Sequence, residues 1–150
     1  MRISTRGEYG LRAMLDLALH YGEGPIALKQ IAERQGISEH YLEQLMGGLR
    51  KAGLVISVRG AQGGYQLAAP PREVTAGQVL RALEGSLEIR FEDGSPLGGD
   101  RHQLARYGTR HLWQALSDRI AELLESLTLA DLLAAAEAAQ ASEGEYMYHI

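Results

Sequence analysis

The sequence predicts a mainly α-helical chain: a winged helix-turn-helix with a two-stranded wing, followed by a long C-terminal helix. Three observations predict it. Apolar residues recur at 3.6-type spacing in successive segments up to Gly53. The stretch "LVISVRGAQGGYQLA" alternates apolar and polar residues on both sides of a glycine-rich turn. Residues from about 102 to 127 carry a leucine stripe that so small a front domain does not need.

The first helix is expected to open at Thr5-Arg6-Gly7-Glu8, which has capping-box spacing, and to end in "YGEGP" at residues 21–25. Leu11, Met14, Leu15 and Ala18 form its apolar side. A short helix over about 27–35 follows, with Leu28, Ile31 and Ala32 inward and Gly36 as its stop. Ser38 is the expected N-cap of a third helix running to Gly53, which turns Leu42, Leu45, Met46 and Leu49 to one side. Its other side presents Glu39, His40, Glu43, Gln44, Gly47, Arg50 and Lys51. The tight "RQGIS" turn makes helices two and three a helix-turn-helix, with the third as the reading helix.

The hairpin that follows is the wing, with Arg59 at its tip. Thr75-Ala76-Gly77-Gln78 is a second capping box, opening a helix through about Glu84 that Gly85 stops. Residues 86–100 are turn-rich and read as a loop. The long helix from about His102 to Leu127, about 37 Å at 1.5 Å per residue, carries Leu104, Leu112, Leu116, Ile120, Leu123, Leu124 and Leu127. A partner chain covering that stripe explains it best, so Leu112, Leu116, Ile120, Leu123 and Leu127 are the expected dimerisation residues. Thr128 and Asp131 start a final Ala/Leu-rich helix through about Gln140, before the tail "ASEGEYMYHI". The expected division is a DNA-binding domain over 1–85, a loop over 86–101, and a helical dimerisation region with a tail over 102–150.

Charge is unevenly placed. Residues 1–72 hold nine Arg/Lys against six Asp/Glu, net +3, and residues 73–150 hold six against thirteen, net −7. A basic front and an acidic rear fit a protein that meets nucleic acid with its front. There is no secretory signal pattern and no run of about 18 apolar residues, so a cytoplasmic protein without a membrane partner is expected. The absence of cysteine removes disulfides, thiolate metal sites and nucleophilic thiols.

"RGAQGG" lacks the Lys-Ser/Thr of a phosphate loop, and the strand-like "YQLA" that follows offers no helix N-terminus. A wing is the better reading, with Arg59 placed to enter a minor groove. On the reading helix, Glu43 suits a cytosine amino group and Gln44 an adenine, while His40, Tyr41, Arg50 and Lys51 suit phosphates. A solvated helix face is the bland alternative for any one of them. The histidines at 20, 40, 102, 111 and 149 make no H-x-x-x-H pair, and the acids Glu92 and Asp93 lie in the loop with no evident pocket. No metal site and no catalytic constellation is expected, so the chain does not read as an enzyme. Trp113 and the tyrosines at 107, 146 and 148 are more simply interface or core than a small-molecule site.

Three segments, "MRISTRGEYGLRAMLDLAL", "LKQIAERQGISEHYLEQLMGGLRKAGLVISVRGAQGGYQLA" and "LWQALSDRIAELLESLTLADL", together resemble the Rrf-type winged-helix transcription regulators. The resemblance covers nearly the whole chain. It implies a homodimer on a dyad-symmetric double-stranded DNA operator, with the helix from Ser38 in the major groove and the wing in the adjacent minor groove. By position it carries DNA contacts to Ser38, Tyr41, Glu43, Gln44, Arg59 and Gly60. Cluster-binding relatives place three cysteines in the loop before the long helix, the last six residues before the tryptophan. Tyr107 stands there in this chain, so no iron–sulfur cofactor is expected.

The cysteine-free loop, "SEHYLEQL", "VTAGQVL" and the ending "EYMYHI" look most like the CymR branch, repressors of cysteine and sulfur-assimilation genes. That branch implies a protein partner, cysteine synthase (O-acetylserine thiol-lyase). Tyr148, His149 and Ile150 are the expected contact, because a C-terminal isoleucine resembles the tail that serine acetyltransferase inserts into that enzyme. The alternative is an iron–sulfur or redox-linked regulator of the same family that has lost its cluster cysteines.

Overall fold

Ser4, rather than Thr5, caps the first helix of the computed structural model, which describes residues 2–91, 94 and 96–148. Its side-chain oxygen accepts from the Arg6 backbone N–H, and helix α1 runs Thr5–Leu19. The carboxylate expected from Glu8 comes instead from a distant residue. Glu84 Oε1 accepts from Ser4 N at 3.1 Å, Ser4 Oγ at 2.6 Å and Gly7 N at 2.8 Å. The N-terminal donors of α1 are therefore satisfied from the end of α4 (Ala76–Glu84), 80 residues away in sequence. Two glycines permit this approach: a Cβ on Gly10 would lie 2.0 Å from Leu83 Cδ1, and one on Gly7 would lie 2.7 Å from the Glu84 carboxylate.

Helix α2 (Leu28–Gln35) ends at Gly36, whose φ of +65° lets the chain reverse, and α3 (Glu39–Lys51) starts at Ser38, which accepts from Tyr41 N. The apolar side of α3 closes onto α1 and α2, so that Met14, Ile31, Leu42, Met46 and Leu49 are wholly buried. Strands β1 (Val55–Val58) and β2 (Gly64–Leu67) pair antiparallel in the register Val55 to Leu67 through Val58 to Gly64. Ile26 adds a short third rung: its N–H donates to Tyr65 O, and Tyr65 N donates to Ile26 O, each at 2.8 Å. A Cβ on Gly64 would lie 2.1 Å from Ile26 O, so the third wing glycine is there for close backbone approach.

The capping box at Thr75 and Gln78 forms as expected. Helix α5 spans Leu104–Ser126, and Ser117 is its buried residue. Thr128 and Asp131 exchange the reciprocal bonds that start α6 (Leu129–Tyr148). That helix runs eight residues past the expected end at Gln140, its alanine-rich composition carrying it through Gly144. Leu129 is fully buried in the same core as Val79 and Leu17, with Leu133 packed against it. The chain therefore returns to its front half after α5, tied by Ala76 N to Leu127 O at 2.8 Å and Leu129 N to Val74 O at 2.9 Å.

Candidate nucleic-acid interface

Because Leu42, Leu45, Met46 and Leu49 are drawn into the core, the opposite side of α3 must face solvent. Ser38, Glu39, His40, Glu43, Gln44, Arg50 and Lys51 are all exposed. Gln44 Nε2 and His40 Nε2 lie 3.2 Å apart, one helical turn from each other. Glu43 carries no ion pair among the described residues and is left as an open acceptor.

Tyr41 stands apart from the other residues of that face. It is half-buried, stacks edge-on against Tyr9 with centroids 6.1 Å apart, and its hydroxyl shares a 3.3 Å hydrogen bond with Thr5 Oγ1. The Arg12 guanidinium lies over the Tyr9 ring at 5.3 Å and also donates to the Gln35 carbonyl. The start of the reading helix is thus keyed to α1 and to the end of α2. Neither Tyr9 nor Arg12 is marked by any local pattern; only the approach of three helices brings them together.

A second tie fixes α2. Asp16 is almost fully buried, and its carboxylate accepts from Arg34 Nε at 3.0 Å, Arg34 Nη2 at 2.7 Å and Gln35 Nε2 at 2.9 Å. Burial pushes the Asp16 carboxyl up, but the bonds from Arg34 and Gln35 outweigh it and hold it below its ordinary value. Sequence reasoning missed this pair. Its one signal was an aspartate between Leu15 and Leu17 on a helix that is otherwise apolar there.

The wing places Arg59, Gly60, Ala61 and Gln62 at an exposed tip, with Gly63 N closing the turn onto Gly60 O at 3.0 Å. Gly60 has φ +114°, a conformation that side chains rarely adopt. Arg50 reaches from the last turn of α3 to Ser57 Oγ on β1 at 3.4 Å, so helix and wing are joined directly. Ser38, His40, Tyr41, Glu43, Gln44, Arg50 and Lys51 come from one helix, while Arg59 and Gly60 come from the hairpin after it.

On α5, Leu112, Leu116 and Leu123 are 48, 40 and 56% exposed, and Ile120 and Leu127 are half-buried. Of the tail residues, His149 and Ile150 lie outside the described residues, and Tyr148 ends α6. Glu92 and Asp93 also lie outside them. Among the described residues no helix is long and apolar enough to cross a membrane.

Comparison with known proteins agrees with this arrangement. The model of the Rrf2 family, described as an iron-dependent transcriptional regulator, matches residues 3–135. The chain is 44% identical over the whole of both chains to the HTH-type transcriptional regulator CymR of Bacillus subtilis. The solved structure of that global cysteine regulator superposes with a TM-score of 0.75, covering 88% of this chain and 95% of the other. T. potens IscR, 52% identical, superposes with a TM-score of 0.73 over 93% of this chain and 91% of its own. These relatives are regulators and not enzymes. The chain has no cysteine to supply the thiolate ligands of an iron–sulfur cluster, and among the described residues no group of three or more His, Asp or Glu is gathered.

Proposed function

The chain belongs to the Rrf2 family of DNA-binding transcriptional regulators, and from that premise we propose that it is a homodimeric repressor of cysteine and sulfur-metabolism genes. The observation that carries the reading is the divided surface of α3: four apolar residues closed into the core, six polar ones and the Ser38 cap presented to solvent, and the wing joined alongside by Arg50 at Ser57. In this reading α3 lies in the major groove, where Glu43 and Gln44 meet base edges, and Arg59 enters the minor groove. Ser38, His40, Tyr41, Arg50, Lys51 and Gly60 hold the backbone. The Leu112, Leu116, Ile120, Leu123 and Leu127 stripe pairs two copies, so that two reading helices meet a dyad-symmetric site.

The sulfur assignment rests on similarity to CymR, and the partner assignment on the tail. Cysteine synthase would take Tyr148, His149 and Ile150. A second reading, an iron–sulfur or redox-linked regulator without its cluster cysteines, is favoured by the family's description as iron-dependent.

Selection of bound sequences from random DNA at two salt concentrations, with and without cysteine synthase, tests the proposal. A symmetric motif with a steep salt slope, altered by the enzyme, is expected. A symmetric motif indifferent to the enzyme favours the second reading, and no enriched motif overturns both. Deletion of Tyr148–Ile150 should abolish binding to cysteine synthase; unchanged binding would end the tail assignment.

A further inference from the structure

A pocket of about 620 Å³ lies between α5 and the segment that precedes it. Arg106, Arg110, Trp113 and Gln114 line it from one side of α5, at helical spacing of four, three and one residues. Phe91 and Leu97 line it from the preceding segment.

The walls are pinned at both ends. At one end Ser117, buried within α5, accepts from Ile89 N at 2.8 Å while donating to Trp113 O at 2.8 Å. At the other, Arg106 donates to Pro96 O at 3.2 Å and Tyr107 donates to Gly98 O at 3.2 Å. The pocket is of the size that holds a small organic molecule.

Its chemistry is two-sided. Three arginines, including Arg90, stand against one glutamate, Glu88, among the described lining residues. Glu88 is already paired with Arg90, and Arg106 is engaged with Pro96 and Gln103. Arg110 is exposed and makes no hydrogen bond or ion pair among the described residues. The same pocket is lined by the indole of Trp113, half-buried, and the ring of Phe91, which at 77% is the most exposed large apolar side chain among the described residues. A bare aromatic ring and an uncommitted guanidinium lining one pocket are what a flat, negatively charged molecule would cover on both counts.

We propose that this pocket binds a small organic anion, its carboxylate or phosphate held by Arg110 and its flat apolar body laid against Trp113 and Phe91. The inference does not depend on the DNA reading, since it concerns a different part of the chain.

Trp113 is the chain's one tryptophan, so its fluorescence reports on the pocket directly. The full-length protein is titrated with AMP and with benzoate, which separate phosphate from carboxylate, and with adenosine and benzamide as their uncharged counterparts. A saturable change with at least one of the two anions is expected, with its uncharged counterpart at least about tenfold weaker. Arg110→Gln should weaken that anion by about tenfold or more while leaving the circular dichroism and thermal unfolding of the free protein unchanged. No saturable change with either anion, equal binding of the uncharged compounds, or full retention in the Arg110→Gln protein would overturn the proposal.

Discussion

The front of the molecule and helix α5 treat apolar side chains in opposite ways. In α1 to α3, Met14, Leu17, Ile31, Leu42, Leu45, Met46 and Leu49 are buried, and the polar residues among them, such as Asp16, are fully partnered. Helix α5 is longer than any of these, yet it buries Ser117 and leaves Leu112, Leu116 and Leu123 open. The chain returns to its own core at Leu129 without covering that stripe. One region is a finished fold, and the other has the exposed apolar stripe that the proposed homodimer would cover.

The predictions test that contrast, beginning with the largest effect. Leu116→Glu with Leu123→Glu should leave each copy folded, with unchanged circular dichroism, but reduce affinity for a symmetric operator by about 10²–10⁴-fold, because two half-sites would no longer be bound as a unit. Unchanged affinity in a gel-shift titration would refute the assignment of α5. Leu42→Ala, in the finished region, should cost about 2–5 kcal/mol of folding stability by denaturant unfolding, with no dependence on protein concentration beyond that of the wild type.

A smaller effect is expected at the tie between α1 and α2. Asp16 has a folded-state pKa below its ordinary 3.8, so its stabilisation is fully present above about that pH and is lost as pH falls through the depressed folded value. Asp16→Asn should cost about 1–3 kcal/mol near neutrality and flatten the acid side of the stability profile. An Asn protein with the wild-type acid limb would show that the pair does not hold α2 in place. Arg59→Ala should weaken operator binding by about 1–3 kcal/mol with no change in oligomeric state. Glu43→Ala should instead relax preference at one cytosine position, read from a single-base-substitution panel.

Much of the front was legible because its signals are local. Ser38, the Thr75–Gln78 box and the Thr128–Asp131 start each lie within four residues of the groups they satisfy. The start of α1 was misread for the converse reason. Thr5 and Glu8 have the right spacing, but Glu84 supplies the carboxylate across 80 residues, and Ser4 takes the cap. Gly7 and Gly10, which look like weak points in a helix, are what bring α4 near enough to do so. Tyr9, Arg12 and Arg34 were invisible for the same reason, since their partners sit on other helices. The exposed side of α3 was fully readable, because once Leu42, Leu45, Met46 and Leu49 are assigned inward, periodicity places Glu43 and Gln44 outward.

The measurement that tests the central contrast most directly is the mass of the protein in solution by sedimentation equilibrium. A particle of twice the 16.4 kDa chain, reduced to 16.4 kDa by Leu116→Glu with Leu123→Glu, is the expected result. A wild-type chain that stays at 16.4 kDa at concentrations well above those that saturate the operator would contradict it.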